Sequence, residues 1–186
     1  MDYSEIVKVT DVIEEASRTG VPVESLSATF RKLEVAPLAG PGATVADATQ
    51  AVGYVVGAFG LINSRIREWQ ITIGDTIADN ASCGEVVLGG MFRRLSDTDL
   101  ALIAVILRRN GLVVDSGASG AVMGTLLAAL GWLANLLAVR DESLCAGQVV
   151  LPGSLTVSVP ASEGDTFEAA FSGFGSVAIS FAGGGR

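Results

Sequence analysis

The chain has 186 residues, 49% apolar and 17% charged, enough for one folded domain with a real core and too apolar for disorder. Twelve basic residues against twenty acidic ones leave a net charge of −8, which argues against nucleic acid or an anionic membrane as partner. Histidine is absent, which removes the Ser-His-Asp triad, His-ligated zinc and histidine acid–base catalysis.

Cys83 and Cys145, the only cysteines, are too few for a disulfide framework and lack metal-ligand spacing, so they read as reduced thiols of a cytoplasmic protein. The N-terminal MDYSEIVKVTDVIEEASRTG is acidic and has no apolar core, unlike a signal peptide. Residues 3–18 pattern as an amphipathic helix, with Ile6, Val9, Val12, Ile13 and Ala16 on one side and Glu14, Glu15 and Arg18 outside. Gly20 and Pro22 end it. Leu26–Val35 is ambiguous, with Phe30, Leu33 and Val35 suited to a short strand. After the turn LAGPG (38–42), Thr44 caps a predicted helix over Val45–Gly57, with Asp47 in its first turn.

Phe59–Ile66 and Trp69–Ile73 read as strand, and GDTIADNASCG (74–84) as a short helical turn leading into the strand EVVLGG. Asn110-Gly111 between Ala101–Arg109 and Leu112–Ser116 is a strong hairpin signal. From Ser116 to Val139 there is no charge, a length that a bilayer span also has. The SGASG turn at its start and the Ala- and Gly-rich remainder favour a buried helix over Ala121–Val139. Gln148–Leu151, Ser154–Val159, Thr166–Ser172 and Ser176–Phe181 read as strands, and the tail GGGR as frayed. The pattern is α+β, with at least seven strands and two or three helices around one core.

The stretch NSRIREWQITIGDTIADNASCGEVVLGG (63–90) resembles the 2-hydroxypenta-2,4-dienoate hydratase and 4-oxalocrotonate decarboxylase family, relatives of the fumarylacetoacetate hydrolases. Three later segments resemble it in order and spacing: NGLVVDSGASGAVMG (110–124), LGWLAN (130–135) and GQVVLPGSLT with EGDTFEAAFSGFGSVAISF (147–181). The resemblance implies a fumarylacetoacetate hydrolase-like mixed β-sheet roll with two or three helices, in a single hydratase-like domain over 38–182. Residues 1–37 form a divergent N-terminal helix and strand, and 183–186 the tail.

In that family three carboxylates hold a divalent cation, two from an E-x-E strand and one four residues before the Ser of S-R-I. A hard cation takes oxygen ligands and stabilises the charge that develops on a 2-keto acid or enol. Here the position four before Ser64 is Gly60, and counting back from the LAGPG turn puts the E-x-E positions at Ser27 and Thr29. A slip in that divergent region would bring in Glu24 or Glu34 instead. Other polar positions of the family are also altered: Met123-Gly124-Thr125-Leu126 stands where Leu-Gly-Asn/His-Pro is frequent, Ala128 replaces an Asn, and Asn63 an Asp. The family's lysine-bearing G-x-K-x-G-x-T segment has only Lys8-Val9-Thr10 as a counterpart.

The resemblance places Asp79, Asn80 and Ser82 where they meet a substrate carboxylate, with Ser154 and Thr156 nearby, and Gly60, Met123 and Thr125 on the enlarged apolar side. Asp79 and Ser82 are the catalytic candidates, the others substrate-binding, and no metal or other cofactor is expected. Asp75 and Asp79 are four apart and share a helix face, where burial would raise a carboxyl pKa. The same Asp-Asn-Ala-Ser residues equally suit a helix cap. Local ion pairs of Arg65 and Arg67 with Glu68 or Asp75 outweigh substrate binding, Trp69 and Trp132 suit the core, and Cys83 reads as inert. The glycines at 117, 120 and 124 suit turns and close packing.

Three functions follow. The first is a metal-independent enzyme repurposed to cyclise or isomerise a largely apolar polyene or enol, or to carry it through a cycloaddition, in secondary metabolism. The second is a metal-dependent 2-hydroxydienoate hydratase or decarboxylase with displaced ligands. The third is a non-catalytic partner subunit. Expected partners are a small apolar substrate and either a second copy or a related subunit.

Overall fold

The computed structural model describes residues 22–26, 29–31, 38–66, 68, 70 and 72–182. The N-terminal segment 3–18, Ser27, Glu34, Trp69, Arg67 and the tail therefore lie outside the described residues. The strands are β1 (Pro22–Leu26), β2 (Thr29–Arg31), β3 (Tyr54–Val56), β4 (Ala58–Ile62), β5 (Cys83–Leu88) and β6 (Arg93–Arg94). They continue as β7 (Ala104–Arg109), β8 (Leu112–Ala118), β9 (Val149–Val150), β10 (Ser154–Pro160), β11 (Thr166–Phe171) and β12 (Gly175–Ser180). The helices are α1 (Val45–Ala51), α2 (Ile73–Ala78) and α3 (Leu126–Ala138). Three four-stranded sheets result, ordered β10-β1-β4-β5, β12-β11-β7-β8 and β6-β3-β2-β9. The architecture is α+β.

Alternation sets the core face of the second sheet. Val105 and Leu107 of β7 are buried beside Phe171 and Ala169 of β11, while Ala104 and Ile106 face out. Asn110 and Gly111 both have positive φ, 51° and 81°, as a tight hairpin whose twist matches its strands requires. Behind this hairpin the buried Asp165 accepts from Arg109 Nη2 at 2.6 Å and Asn110 Nδ2 at 2.8 Å, which locks β7 to β11. A Cβ on Gly117 would sit 1.7 Å from the Leu155 carbonyl oxygen, so only glycine lets β8 pass β10 this closely.

Several predicted boundaries shift. The helix opened by Thr44 has the expected reciprocal cap, Asp47 N donating to Thr44 Oγ1 at 3.2 Å and Thr44 N to Asp47 Oδ2 at 2.8 Å. It ends at Ala51 rather than Gly57, because Val52 is extended and Tyr54–Val56 pairs between β2 and β6. The strand expected over Phe59–Ile66 stops at Ile62, and Ile73 opens α2 instead of closing a strand. The long helix begins at Leu126, not Ala121, since Met123 and Gly124 hold positive φ of 48° and 78° ahead of the Thr125 cap.

α3 packs on α1, with Leu126, Leu127, Leu130 and Ala134 turned inward. Asn135 fixes the preceding LAGPG turn: its Oδ1 accepts from Gly42 N at 2.7 Å and Ala43 N at 2.8 Å, and its Nδ2 donates to Ala43 O at 2.9 Å. The helix is half-buried rather than buried throughout. Trp132, expected in the core, is 57% exposed.

Candidate active site

The site-bearing segment starts where α2 unwinds. Asp79 N donates to Asp75 O at 2.8 Å, and Asn80–Ser82 then forms a single 3-10 turn. Ala81 and Ser82 both sit at positive φ, 55° and 53°, conformations that non-glycine residues adopt only where the surroundings impose them. Asn63 N donates to Ser82 O at 2.8 Å and anchors this turn to the end of β4.

That geometry drives the Asp79 side chain inward, where it is 4% exposed. Oδ2 accepts from Ser82 Oγ at 2.8 Å, Arg65 N at 3.1 Å and Ser64 Oγ at 3.2 Å. Oδ1 accepts from Arg65 Nη1 at 2.8 Å. Arg65 thus pairs with Asp79, not with the expected Glu68 or Asp75, because the turn aims the carboxylate across at the S-R-I segment. Asp75 instead caps α2, accepting from Thr72 N at 2.8 Å and Thr72 Oγ1 at 2.7 Å.

Burial was expected to raise a carboxyl pKa here, and the opposite holds. The Arg65 guanidinium, opposed by burial and aided by Ser82 and Ser64, holds the Asp79 carboxyl down at about 2. Hydrogen bonds from Thr72 lower Asp75 as well. Asp79 is therefore a fixed anion at neutral pH, and it holds an Arg65 side chain that remains 63% exposed.

The register shows what surrounds Gly60. Four residues line up across the first sheet as successive partners: Ser158 opposite Glu24, Glu24 opposite Gly60, and Gly60 opposite Val86. Glu24 is the only acidic residue in this row. Thr29 falls on another sheet, opposite Val56. No cluster of three His, Cys, Asp or Glu residues placed to share a metal ion occurs among the described residues. A donor set of one carboxylate, one hydroxyl, a glycine and a valine is a poor fit to the three-carboxylate site that a hard divalent cation occupies in the family.

The remaining candidates lie on β10 and just ahead of α3. Ser154 Oγ donates to Thr156 O at 2.6 Å within a tight turn at the start of β10. Thr125 Oγ1 accepts from Leu127 N at 3.4 Å as the α3 cap, and Met123 is 59% exposed beside it. Val122 connects the two, since a Cβ on Gly153 would lie 3.7 Å from its Cγ1. Asn80 contributes backbone to the 3-10 turn. Two concavities lie elsewhere: a 20 Å³ apolar crevice under Leu38, Val52, Leu130 and Leu144, and an open 350 Å³ depression beside Thr49, Arg94 and Ser96.

One buried group was missed. Glu85, on β5 opposite Leu61, is 8% exposed, and neither carboxyl oxygen has a hydrogen-bond partner among the described residues. Burial pushes its pKa up. Alternation along Cys83–Leu88 carried the signal, because it puts residue 85 on the inner side with Val87.

Comparison with known proteins places the chain. No family model matches it. A protein of Yersinia pestis assigned to the fumarylacetoacetate hydrolase family shares the fold, with TM-score 0.66 and 19% identity over 87% of this chain and 70% of that one. A 4-oxalocrotonate decarboxylase from Pseudomonas putida G7, solved with magnesium and adipate, gives TM-score 0.81 and 34% identity over 86% of this chain and 60% of that one. The fold is therefore fumarylacetoacetate hydrolase-like. A 2-hydroxyhexa-2,4-dienoate hydratase from Comamonas testosteroni is 42% identical over 144 residues, 77% of this chain and 54% of the relative. Over that aligned length the chain is similar to 2-hydroxydienoate hydratases and 4-oxalocrotonate decarboxylases. It spans about half the length of the curated relatives it matches.

Proposed function

We propose that this chain is a metal-independent enzyme on the hydratase/decarboxylase scaffold, acting on a largely apolar polyene or enol to cyclise or isomerise it, in secondary metabolism. The observation that carries this reading is the row across the first sheet, in which glycine occupies the expected third ligand position and valine and serine stand in the same row. Without a cation to bear developing negative charge, the protein's own donors take that work. Asp79 positions Arg65; the exposed guanidinium meets the enol or carboxylate oxygen and stabilises it as charge builds. Ser82, buried against Asp79, supports that geometry from behind. Val86, in the same row as Gly60, and the exposed Met123 ahead of α3 supply apolar surface, and holding the substrate chain in a reactive conformer lowers a barrier substantially by orientation alone.

One observation favours a second reading, a metal-dependent hydratase with displaced ligands. Glu24 stands directly opposite Gly60, so a carboxylate lost from β4 has a counterpart one strand away. Titration of the full chain with Mn²⁺, followed by electron paramagnetic resonance, separates the two. The proposal expects no stoichiometric binding, and turnover of dienol or polyene substrates unchanged by a chelator. Tight binding that Glu24→Gln abolishes would establish the second reading.

A further inference from the structure

Asn110-Gly111, the hairpin tip between β7 and β8, brings a reactive pair of atoms together. In an Asn-Gly pair the following peptide nitrogen can attack the side-chain carbonyl carbon, and glycine has no side chain to shield that nitrogen. Both residues are exposed, and a Cβ on Gly111 would meet nothing within 4 Å. Attack requires the Asn110 amide to turn back over its own backbone, and here it is held in place. Nδ2 donates to Asp165 Oδ1 at 2.8 Å, and Oδ1 accepts from Thr166 N at 2.8 Å. The Asn110 backbone N also donates to Thr166 O at 2.8 Å. A carboxylate at one end of the amide and an N–H at the other fix its orientation, since a flipped amide would meet each with the wrong atom. Asp165 is itself buried and pinned by Arg109 Nη2 and Ser162 N. The hold is local, however. Leu112, Val113 and Val114 are 75%, 61% and 41% exposed, and the β7–β8 register shifts between Leu107 and Arg108. Little burial therefore opposes opening of the tip.

We propose that Asn110 is a deamidation site gated by this hairpin, intact while Asp165 and Thr166 hold its amide and converting when the tip opens. On opening, Gly111 N gives up its proton to solvent base and bonds to Asn110 Cγ. The Cγ–Nδ2 bond breaks, Nδ2 leaves as ammonia, and a succinimide joins residues 110 and 111. Water then opens the ring at either carbonyl, leaving aspartate or isoaspartate at position 110. Neither product refits. Aspartate sets a second carboxylate against Asp165, where an amide donor had been, and isoaspartate adds a backbone carbon to a turn closed by two residues. The conversion runs one way, so a chain whose hairpin has opened and reacted keeps a weakened lock between β7 and β11. This inference is independent of the reaction proposed above.

The test incubates the full-length chain in mildly alkaline buffer, with and without denaturing urea. Digestion at acid pH and mass spectrometry then read the mass gain and isoaspartate at residue 110. The folded chain is expected to convert at least about tenfold more slowly than the unfolded one. Asp165→Asn, which removes the charge that Asn110 and Arg109 both meet, should speed conversion of the folded protein several-fold. Asn110→Asp should lower the urea midpoint at neutral pH. No conversion in urea, or equal rates with and without it, would overturn the proposal whether or not the Asp165 variant folds. So would a folded Asp165→Asn that converts no faster than wild type, or an Asn110→Asp as stable as wild type.

Discussion

Replacing Glu85 by glutamine isolates the cost of holding its charge inside the protein. The carboxyl lies on β5, 8% exposed, with neither oxygen hydrogen-bonded among the described residues. Its neighbours offer no compensation, because β4 (Ala58–Ile62) and β12 (Gly175–Ser180), the strands beside β5, contain no titratable side chain. On β5 itself Cys83 is the other titratable group. Burial raises the folded-state pKa above the ordinary 4.5. The unfolded chain therefore releases this proton first as pH rises, so stability falls from the unfolded value up to the raised folded one and stays low above it. A buried, unpaired polar group costs about 1–3 kcal/mol and a charged one more, and the amide of Glu85→Gln stays unpaired, so only the excess for the charge is recovered. Taking that excess as about 1 kcal/mol, Tm at neutral pH should rise by roughly 3 °C at this chain length. Glu85→Leu, which removes the polar atoms as well, should gain at least as much. Differential scanning calorimetry at about pH 3.5 and pH 7.5 reads the charge effect as a Glu85→Gln gain present at the higher pH and largely lost at the lower, while part of the Glu85→Leu gain persists at both. An unchanged or lowered Tm for Glu85→Gln at neutral pH would refute the reasoning, as would an equal gain at both pH values.

Two other outcomes test the packing around the site and the helix. Asp79→Asn should flatten the acid limb of stability, because the wild-type carboxyl, held at about 2, contributes stability above 3.8 that is lost as pH falls toward 2. Urea midpoints across that window check this, and an acid limb identical to wild type would count against the pairing with Arg65. Asn135→Leu removes three hydrogen bonds to the Gly42–Ala43 turn and should destabilise by about 2 kcal/mol, seen as a lower urea midpoint at unchanged slope.

Much of the fold was legible because its signals are local. The Thr44–Asp47 cap, the Asn110-Gly111 turn and the alternation in β11 each involve residues within one or two turns of chain, so sequence spacing fixes them. Boundaries failed where pairing at a distance overruled local preference. Tyr54–Val56 continues a helical pattern in sequence and becomes strand because β2 and β6 flank it. The candidate site divided along the same line. The sequence points to Asp79, Asn80 and Ser82 and gives Arg65 a local ion pair, whereas the structure brings Ser64, Arg65, Asp79 and Ser82 into one hydrogen-bonded cluster. The sign of the Asp79 shift was not legible, since burial and an arginine fourteen residues away act in opposite directions and only their distance decides between them.

The sequence by itself determined the scaffold and put a glycine, Gly60, four residues before Ser64, because both are matters of residue identity along the chain. Only the tertiary structure decided that Glu24 stands across from that glycine, that Glu85 is shut into the interior without a partner among the described residues, and that Trp132 faces outward. The first and last depend on strand register and helix rotation, which long-range packing sets; alternation along Cys83–Leu88 puts residue 85 inward, and packing then closes it off.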